Sequence, residues 1–345
     1  VNTPPAVPPA GGGRTLNAVQ RWRGLEQLPG SWGRCVVTIG VFDGVHRGHQ
    51  TLINRAVEIA RRQGLPSVVL TFDPHPAEVV RPGSHPAQLT TLRRKAELLE
   101  QLGVDVLCVL PFTLELSRLS ADEFVHEILV EHLHVDTVVV GENFRFGAGA
   151  KGNVELLRRL GQRFGFVVEG AELVHAPLPA RDGVAAPAAE AMITYSSTYV
   201  RSCIDAGDVA AAAVALGRPH RVEGIVVRGD GRGHELGYPT ANLSPPRHSA
   251  IPSDGVYACR FLPLAEDRAA LTAAVSVGTN PTFSGRERRV EAYVLDVDAD
   301  FYGQHVALDF IARLRDQERF DSPDALIERM DDDVRRTREL VSPPE

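Results

Sequence analysis

Between residues 35 and 170 five short apolar runs recur: CVVTIG (35–40), SVVLTFD (67–73), VLCVLPF (106–112), TVVVG (137–141) and FVVEG (166–170). Helix-length segments near 48–62, 91–102, 121–133 and 153–163 separate them. A β-branched run without polar alternation suits a strand buried on both faces, and intervening helices suit the crossovers of a parallel sheet. The expectation for this part of the chain is an α/β domain built on a parallel sheet.

The texture changes after Pro219. RVEGIVVRG, GVYACRF, TAAVSVGT, RVEAYVLDV and HVALDFIARL follow one another with Gly, Pro and Asp turns between them, and no helical segment intervenes before SPDALIERMDDDV (322–334). Closely spaced strands with turn signals predict a small antiparallel β-barrel followed by a C-terminal helix. At roughly 150 residues per domain the length suits two domains. The expected organisation is a disordered Pro/Gly/Ala-rich tail over 1–18, an α/β domain over 19–205, a helical linker over 206–218 and a barrel domain over 219–340. Within it, 176–191 reads as a Pro/Ala-rich loop and a helix starts near Ser197. A second short helix opens on Asp208 and closes at Gly217. The initial valine hints at a non-AUG start, with Val19 a second candidate. No internal repeat is visible.

The net charge is −7. Such a balance argues against a general nucleic-acid binder, whose affinity rests on neutralising phosphates. Only Lys95 and Lys151 of the 37 basic residues are lysines, a bias read first as drift in coding composition. Cys35, Cys108, Cys203 and Cys259 are widely spaced without a CxxC pair, which argues against a zinc ribbon or disulfide scaffold and points to buried thiols in a reducing cytoplasm. No apolar stretch approaches the roughly 20 residues that span a bilayer, and the N-terminus lacks the basic flank and apolar core of a secretory signal.

The densest chemistry lies in VTIGVFDGVHRGHQTLI (37–53). A buried strand ends at Gly40, a Gly-containing turn with Phe42 and Asp43 follows, and a helix starts near Gly48. His46 and His49 are three apart and can point to one side of that helix start. A helix N-terminus attracts phosphate through its free N–H groups, and two imidazoles there can donate to a phosphate that gains charge during substitution. The plainer alternative is two surface histidines on a turn. Downstream, SSTYVR (196–201) offers hydroxyls, a helix start and Arg201, a plausible triphosphate clamp that taken alone is equally a helix cap with a surface arginine.

HRGH resembles the HxGH signature of the nucleotidyltransferase superfamily, and SSTYVR its downstream SSTxxR-type motif. TFDPHP (71–76), LPFTLELSRLS (110–120) and GENFRFG (141–147) follow the second, third and fourth strands, at the carboxyl ends where open α/β sheets bind ligands. They look like the corresponding loops of the adenylyltransferase module of bacterial FAD synthetase. The resemblance implies a Rossmann-like nucleotidyltransferase domain, with Gly40, Phe42, Asp43, Ser197, Thr198 and Arg201 at the nucleotide. It implies flavin contacts from Asn143 and from Phe112 and Phe144, for which core packing is an equal alternative. A rival pattern, Gly147-Ala-Gly149-Ala-Lys-Gly152, fits GxGxxG with Glu169 downstream. Its first glycine lies six residues past the strand end at Gly141, too far for a dinucleotide pyrophosphate to reach the helix dipole, so NAD(P) binding is set aside. No GxxxxGK[ST] is present, which excludes a P-loop kinase.

A second site is RGDGRGHELGYPTANL (228–243). Glycines at 229, 231, 233 and 237 let backbone approach a ligand closely. Thr240 and Asn242 alternate along a strand and face one way, and two neutral oxygens side by side suit a hydrated Mg²⁺ with nucleotide phosphates. An ordinary turn and strand is the alternative. GYPTANL, GVYA (255–258), SVGTNPTF (276–283), VEAYVLD (290–296) and FYGQHVALDFIARLRDQERF (301–320) together resemble the riboflavin kinase barrel over about 219–335. The resemblance implies that Thr240 and Asn242 help hold Mg²⁺ and ATP phosphates beside Gly233, and that Glu291 is the base on the ribityl hydroxyl. Independently, strand alternation sets Glu291 and Tyr293 on one face, where a carboxylate can accept a hydroxyl proton or simply meet solvent.

The chain thus resembles the bifunctional bacterial FAD synthetases. That implies ATP-dependent phosphorylation of riboflavin to FMN, adenylylation of FMN to FAD with release of pyrophosphate, and Mg²⁺ as cofactor. Riboflavin, FMN and ATP are the expected partners, with neither nucleic acid nor membrane; an oligomer is compatible with the pattern. A single-activity enzyme with one degenerate module and a non-catalytic flavin-binding protein are the alternatives.

Overall fold

The computed structural model describes residues 18–172, 174–177, 192–229, 238–265, 269–282 and 285–341. Residues 1–17 of the expected tail, most of the 176–191 loop, and Gly231, Gly233 and Gly237 lie outside the described residues. The apolar runs form strands as expected: β2 (Cys35–Ile39), β3 (Ser67–Asp73), β4 (Val106–Pro111), β5 (Val135–Gly141) and β6 (Val167–Ala171). A further strand, β1 (Gln20–Arg23), pairs with the edge of β4. Its sequence QRWR holds no apolar run; it is fixed by Trp22, which is buried edge-on against Trp32 with ring centroids 4.7 Å apart.

All six strands are parallel, in the order β1-β4-β3-β2-β5-β6. From β2 the chain moves one way through β3 and β4, then returns to lay β5 on the other side of β2. The reversal opens a crevice at the carboxyl ends of β2 and β5, the general ligand position in open α/β sheets. The crossovers are α1 (Arg47–Gln63), α2 (Pro76–Val80), α3 (Leu92–Gln101), α4 (Leu114–Arg118), α5 (Ala121–Glu123) and α6 (Val154–Phe164). α1 and α6 each end on a left-handed glycine, Gly64 and Gly165. α5 opens on a reciprocal Ser120–Glu123 capping box and continues as a π-helix over Phe124–His132, where one regular helix was expected. A short antiparallel ribbon, β7 (His175–Pro177) with β8 (Met192–Thr194), follows.

Then come α7 (Ser197–Asp205), α8 (Val209–Leu216), β9 (His220–Val227), β10 (Thr240–Ser244), β11 (Gly255–Pro263), β12 (Leu271–Thr282), β13 (Gly285–Val294), β14 (His305–Arg315) and α9 (Pro323–Leu340). The six strands close into an antiparallel barrel in the order β10-β13-β12-β11-β14-β9. Closure leaves no unpaired edge. Arg315 of β14 pins α9 through both oxygens of Asp333, with both side chains under a tenth exposed.

Among the described residues, 18–86, 92–177 and 192–195 form one compact unit, and 87–91 with 196–341 form another. α7, expected in the first domain, and α8, expected in a linker, thus pack within the second unit. α8 lies on β9 and β14 and buries Val209, Ala211, Ala212, Ala215 and Leu216. In the same unit the Gln88 N–H donates to the His248 carbonyl at 2.6 Å, and the Gln88 carbonyl accepts from the Ala250 N–H at 2.8 Å. A fragment starting at Ser196 is therefore expected to melt well above one starting at Pro219, since burying a Val or Leu is worth roughly 1.5–3 kcal/mol each. Thermal unfolding of the two fragments checks this; equal melting temperatures would remove α8 from the fold's stability.

Candidate functional site

The turn between β2 and α1 is tightly bent. Phe42 (φ 50°), Gly44 (φ 83°) and Val45 (φ 41°) all sit in the left-handed region, which is costly for a bulky or β-branched residue. Burial offsets that cost: Phe42 is 2% and Val45 1% exposed, packed in one cluster with Ile53 and Val69. Phe42, expected at the nucleotide, has its ring in this core cluster. Asp43 is also buried.

His46 is the N-cap of α1, with Nδ1 accepting from the His49 N–H at 3.4 Å. In the neutral ring that leaves the proton on Nε2, as a donor. The His46 and His49 rings stack, with centroids 3.6 Å apart and planes 25° from parallel, and Phe42 meets His49 edge-on. Spacing of three places both rings together, as expected. The glycine between them matters too: a β-carbon at Gly48 would lie 3.1 Å from the Tyr195 carbonyl oxygen and 3.2 Å from the His46 ring. Gly48→Ala is expected to displace His46 and slow the chemistry of this site about tenfold, since small misplacements of reacting groups are costly. Turnover and melting temperature of the purified variant check this.

The other loop residues sit at the same strand ends. Asn143 is exposed after β5, and Phe144 stacks on Phe146 with centroids 5.4 Å apart. Phe112 follows β4 and meets Phe72 edge-on at 5.5 Å. β4 and β5 stand three positions apart in the sheet, and each ring packs on a neighbour of its own. Ser196 caps α7, accepting from the Tyr199 N–H at 3.1 Å, so Ser197 and Thr198 are its first helical residues. Arg201 Nε donates to the Ala87 carbonyl at 2.6 Å. These three belong to the second unit, His46 and His49 to the first.

The GxGxxG pattern forms a closed loop, with Phe146 and Gly152 exchanging both backbone hydrogen bonds. β-carbons at Gly147 and Gly152 would strike Ala121 and Phe146, so these glycines answer to packing. Glu169 is ion-paired with Arg55. α6 starts beyond the loop, capped by Asn153, which agrees with setting dinucleotide binding aside. All four cysteines are free and buried, and burial pushes the Cys108 thiol up to about 12, leaving no ready thiolate.

In the barrel, register does what sequence alone could not. Thr240 stands opposite Tyr293 and Asn242 opposite Glu291, while Glu291 faces Ser276 across its other neighbour, β12. Leu243, Val290, Ala292 and Val294 are buried on the opposite face. Gln317 Nε2 donates to Ser276 Oγ at 2.9 Å and to the Val277 carbonyl at 2.9 Å. The Tyr238 hydroxyl donates to Asp331 of α9, and its ring meets Tyr293 edge-on at 5.0 Å. Gly229 comes so close to the Asn242 amide that a β-carbon would overlap it. Beside Asn242 opens a cavity of about 1090 Å³ lined by Arg228, Arg247, Thr279, Arg288 and Arg289 among others. This cation-rich wall suits a polyphosphate. No local pattern in the sequence reveals it, because its arginines are scattered over three segments that only the barrel gathers. Oxygen donors from Thr240 and Asn242 fit a hard divalent cation.

A parallel α/β unit with a histidine pair at a helix start, joined to a barrel with a carboxylate beside a polyphosphate-sized basic cavity, defines a two-part phosphate-transferring enzyme. The FAD synthetase family model matches residues 28–177 and the riboflavin kinase family model residues 216–341. The bifunctional riboflavin kinase/FMN adenylyltransferase of Escherichia coli K12 is 37% identical over 85% of this chain and 88% of its own length. The one from Pseudomonas fluorescens is 37% identical over 94% of this chain and 99% of its own. The chain belongs to the bifunctional riboflavin kinase/FMN adenylyltransferase family. A crystal structure described as a macrolide-efflux protein from Streptococcus pneumoniae superposes with TM-score 0.79 at 31% identity, covering 94% of this chain and all of that one. Among the described residues no helix is long and apolar enough to cross a membrane.

Proposed function

We infer that this chain performs two successive reactions, phosphorylation of riboflavin to FMN and adenylylation of FMN to FAD, each with ATP. The observation that carries this reading is that one chain holds both matched families, each largely within its own compact unit.

In the barrel, the ribityl hydroxyl oxygen bonds to the γ-phosphorus of ATP and the bond to the departing ADP oxygen breaks. Glu291 takes the hydroxyl proton. Asn242, directly across the strand, and Thr240 orient the phosphates, with the arginine-lined cavity receiving the rest of the nucleotide. Thr240 and Asn242 would hold a Mg²⁺ ion, which would supply charge neutralisation when bound. In the α/β unit, an FMN phosphate oxygen bonds to the α-phosphorus of a second ATP, the α–β bridge bond breaks, and pyrophosphate leaves. His46 and His49 donate to the oxygens that gain charge. Gly40 and Asp43 shape the turn beside them. Asn143, Phe112 and Phe144 are assigned to the flavin, and Ser197, Thr198 and Arg201 to nucleotide phosphates, on their motifs. Gly233 keeps its nucleotide role on the same ground. Four buried free thiols fit a reducing compartment, and we place the enzyme in the cytoplasm.

Incubating the purified chain with riboflavin and MgATP, then separating flavins by chromatography, tests the reading. FMN followed by FAD is expected. FMN alone or FAD only from added FMN would reduce the chain to one activity, and no turnover would make it a flavin-binding protein.

A further inference from the structure

Lys95 is one of two lysines among 37 basic residues, and it is only 5% exposed. It projects from α3 in the first unit. Its Nζ donates to the Val41 carbonyl at 2.7 Å and lies 3.5 Å from Thr71 Oγ1; the Thr71 hydroxyl donates to that same carbonyl at 3.1 Å. Burial lowers its pKa, and the charges of Asp43 and Asp73 act against that.

A buried ammonium is a poor investment for stability, since an apolar group of similar volume often serves as well or better. What it holds is more informative. Val41 opens the strained turn that leads to His46. The other end of the turn is held in the same way, by Gln50 Nε2 donating to the Val45 carbonyl at 2.8 Å. Peptide planes are rigid, so fixing these two carbonyls fixes the N–H groups of Phe42 and His46 on the same planes. In a chain otherwise so biased to arginine, a compact ammonium remains where a planar guanidinium would need more room.

We propose that Lys95 is a positioning residue for adenylyl transfer, its ammonium holding the β2–α1 turn through the Val41 carbonyl so that the His46–His49 pair meets the α-phosphate in register. This rests on the adenylyltransferase reading above.

The test uses the full chain with Lys95→Met, which keeps the length but removes charge and donors, and Lys95→Gln, which keeps a donor. For Lys95→Met the kcat of FAD formation from FMN is expected to fall about tenfold or more while KM for ATP moves less than about threefold, the signature of lost transition-state positioning. Lys95→Gln is expected to lie between Met and the unaltered chain. Riboflavin phosphorylation and the melting temperature of both variants are expected to stay near those of the unaltered chain. Full kcat in Lys95→Met overturns the proposal. So does loss of cooperative melting of the adenylyltransferase unit in both variants, which would make Lys95 a folding requirement. If the unaltered chain makes no FAD, the functional reading fails instead.

Discussion

In Glu291→Gln, riboflavin phosphorylation is expected to fall by about 10²–10⁴-fold, the range for losing a positioned general base, while FMN adenylylation stays near that of the unaltered chain. The substitution keeps shape and removes charge. Glu291 stands opposite Asn242 on one neighbouring strand and Ser276 on the other, so a primary hydroxyl delivered there meets a carboxylate flanked by neutral polar groups. Asn242→Ala is expected to act differently, raising KM for MgATP along with lowering kcat, because its proposed partner is the nucleotide. Steady-state kinetics of both half-reactions separate the two. Near-normal kinase activity in Glu291→Gln would make this residue an ordinary strand position.

His46→Ala and His49→Ala are each expected to slow FAD formation from FMN by roughly 10²–10³, the cost of removing one preorganised donor. FMN formation should persist, since it belongs to the barrel. The two variants are distinguishable by stability. His46 also caps α1, accepting from the His49 N–H, so His46→Ala should lose about 1 kcal/mol that His49→Ala does not. His46→Asn supplies a good cap without an imidazole, and should recover the melting temperature while leaving FAD formation slow. Recovery of activity in His46→Asn would show that the cap, rather than the ring, is what the reaction needs.

Local patterning along the chain specified both layers of the fold. Unbroken valine-rich runs such as CVVTIG, separated by helix-length segments, suit strands covered on both faces, and closely spaced strands between turn residues can satisfy their edges by closing. It also determined the His46–His49 pairing, because a spacing of three at a helix start puts both rings on one side whatever surrounds them. Periodicity carries such information because it is local. It failed where a few side chains were held by distant ones: the four-residue β1, secured by Trp22 against Trp32, and the π-helix after Glu123. Packing between distant segments put the Phe42 ring in the core, α8 on barrel strands, and Gly48 between Tyr195 and His46. It alone set Glu291 against Asn242, residues 49 positions apart, and gathered the arginines of one cavity wall. Strand register and side-chain packing depend on which distant segments meet, and no local spacing encodes that; Lys95, which reads as an ordinary helix cation among RRK, becomes a buried anchor only when α3 lies against the turn after β2.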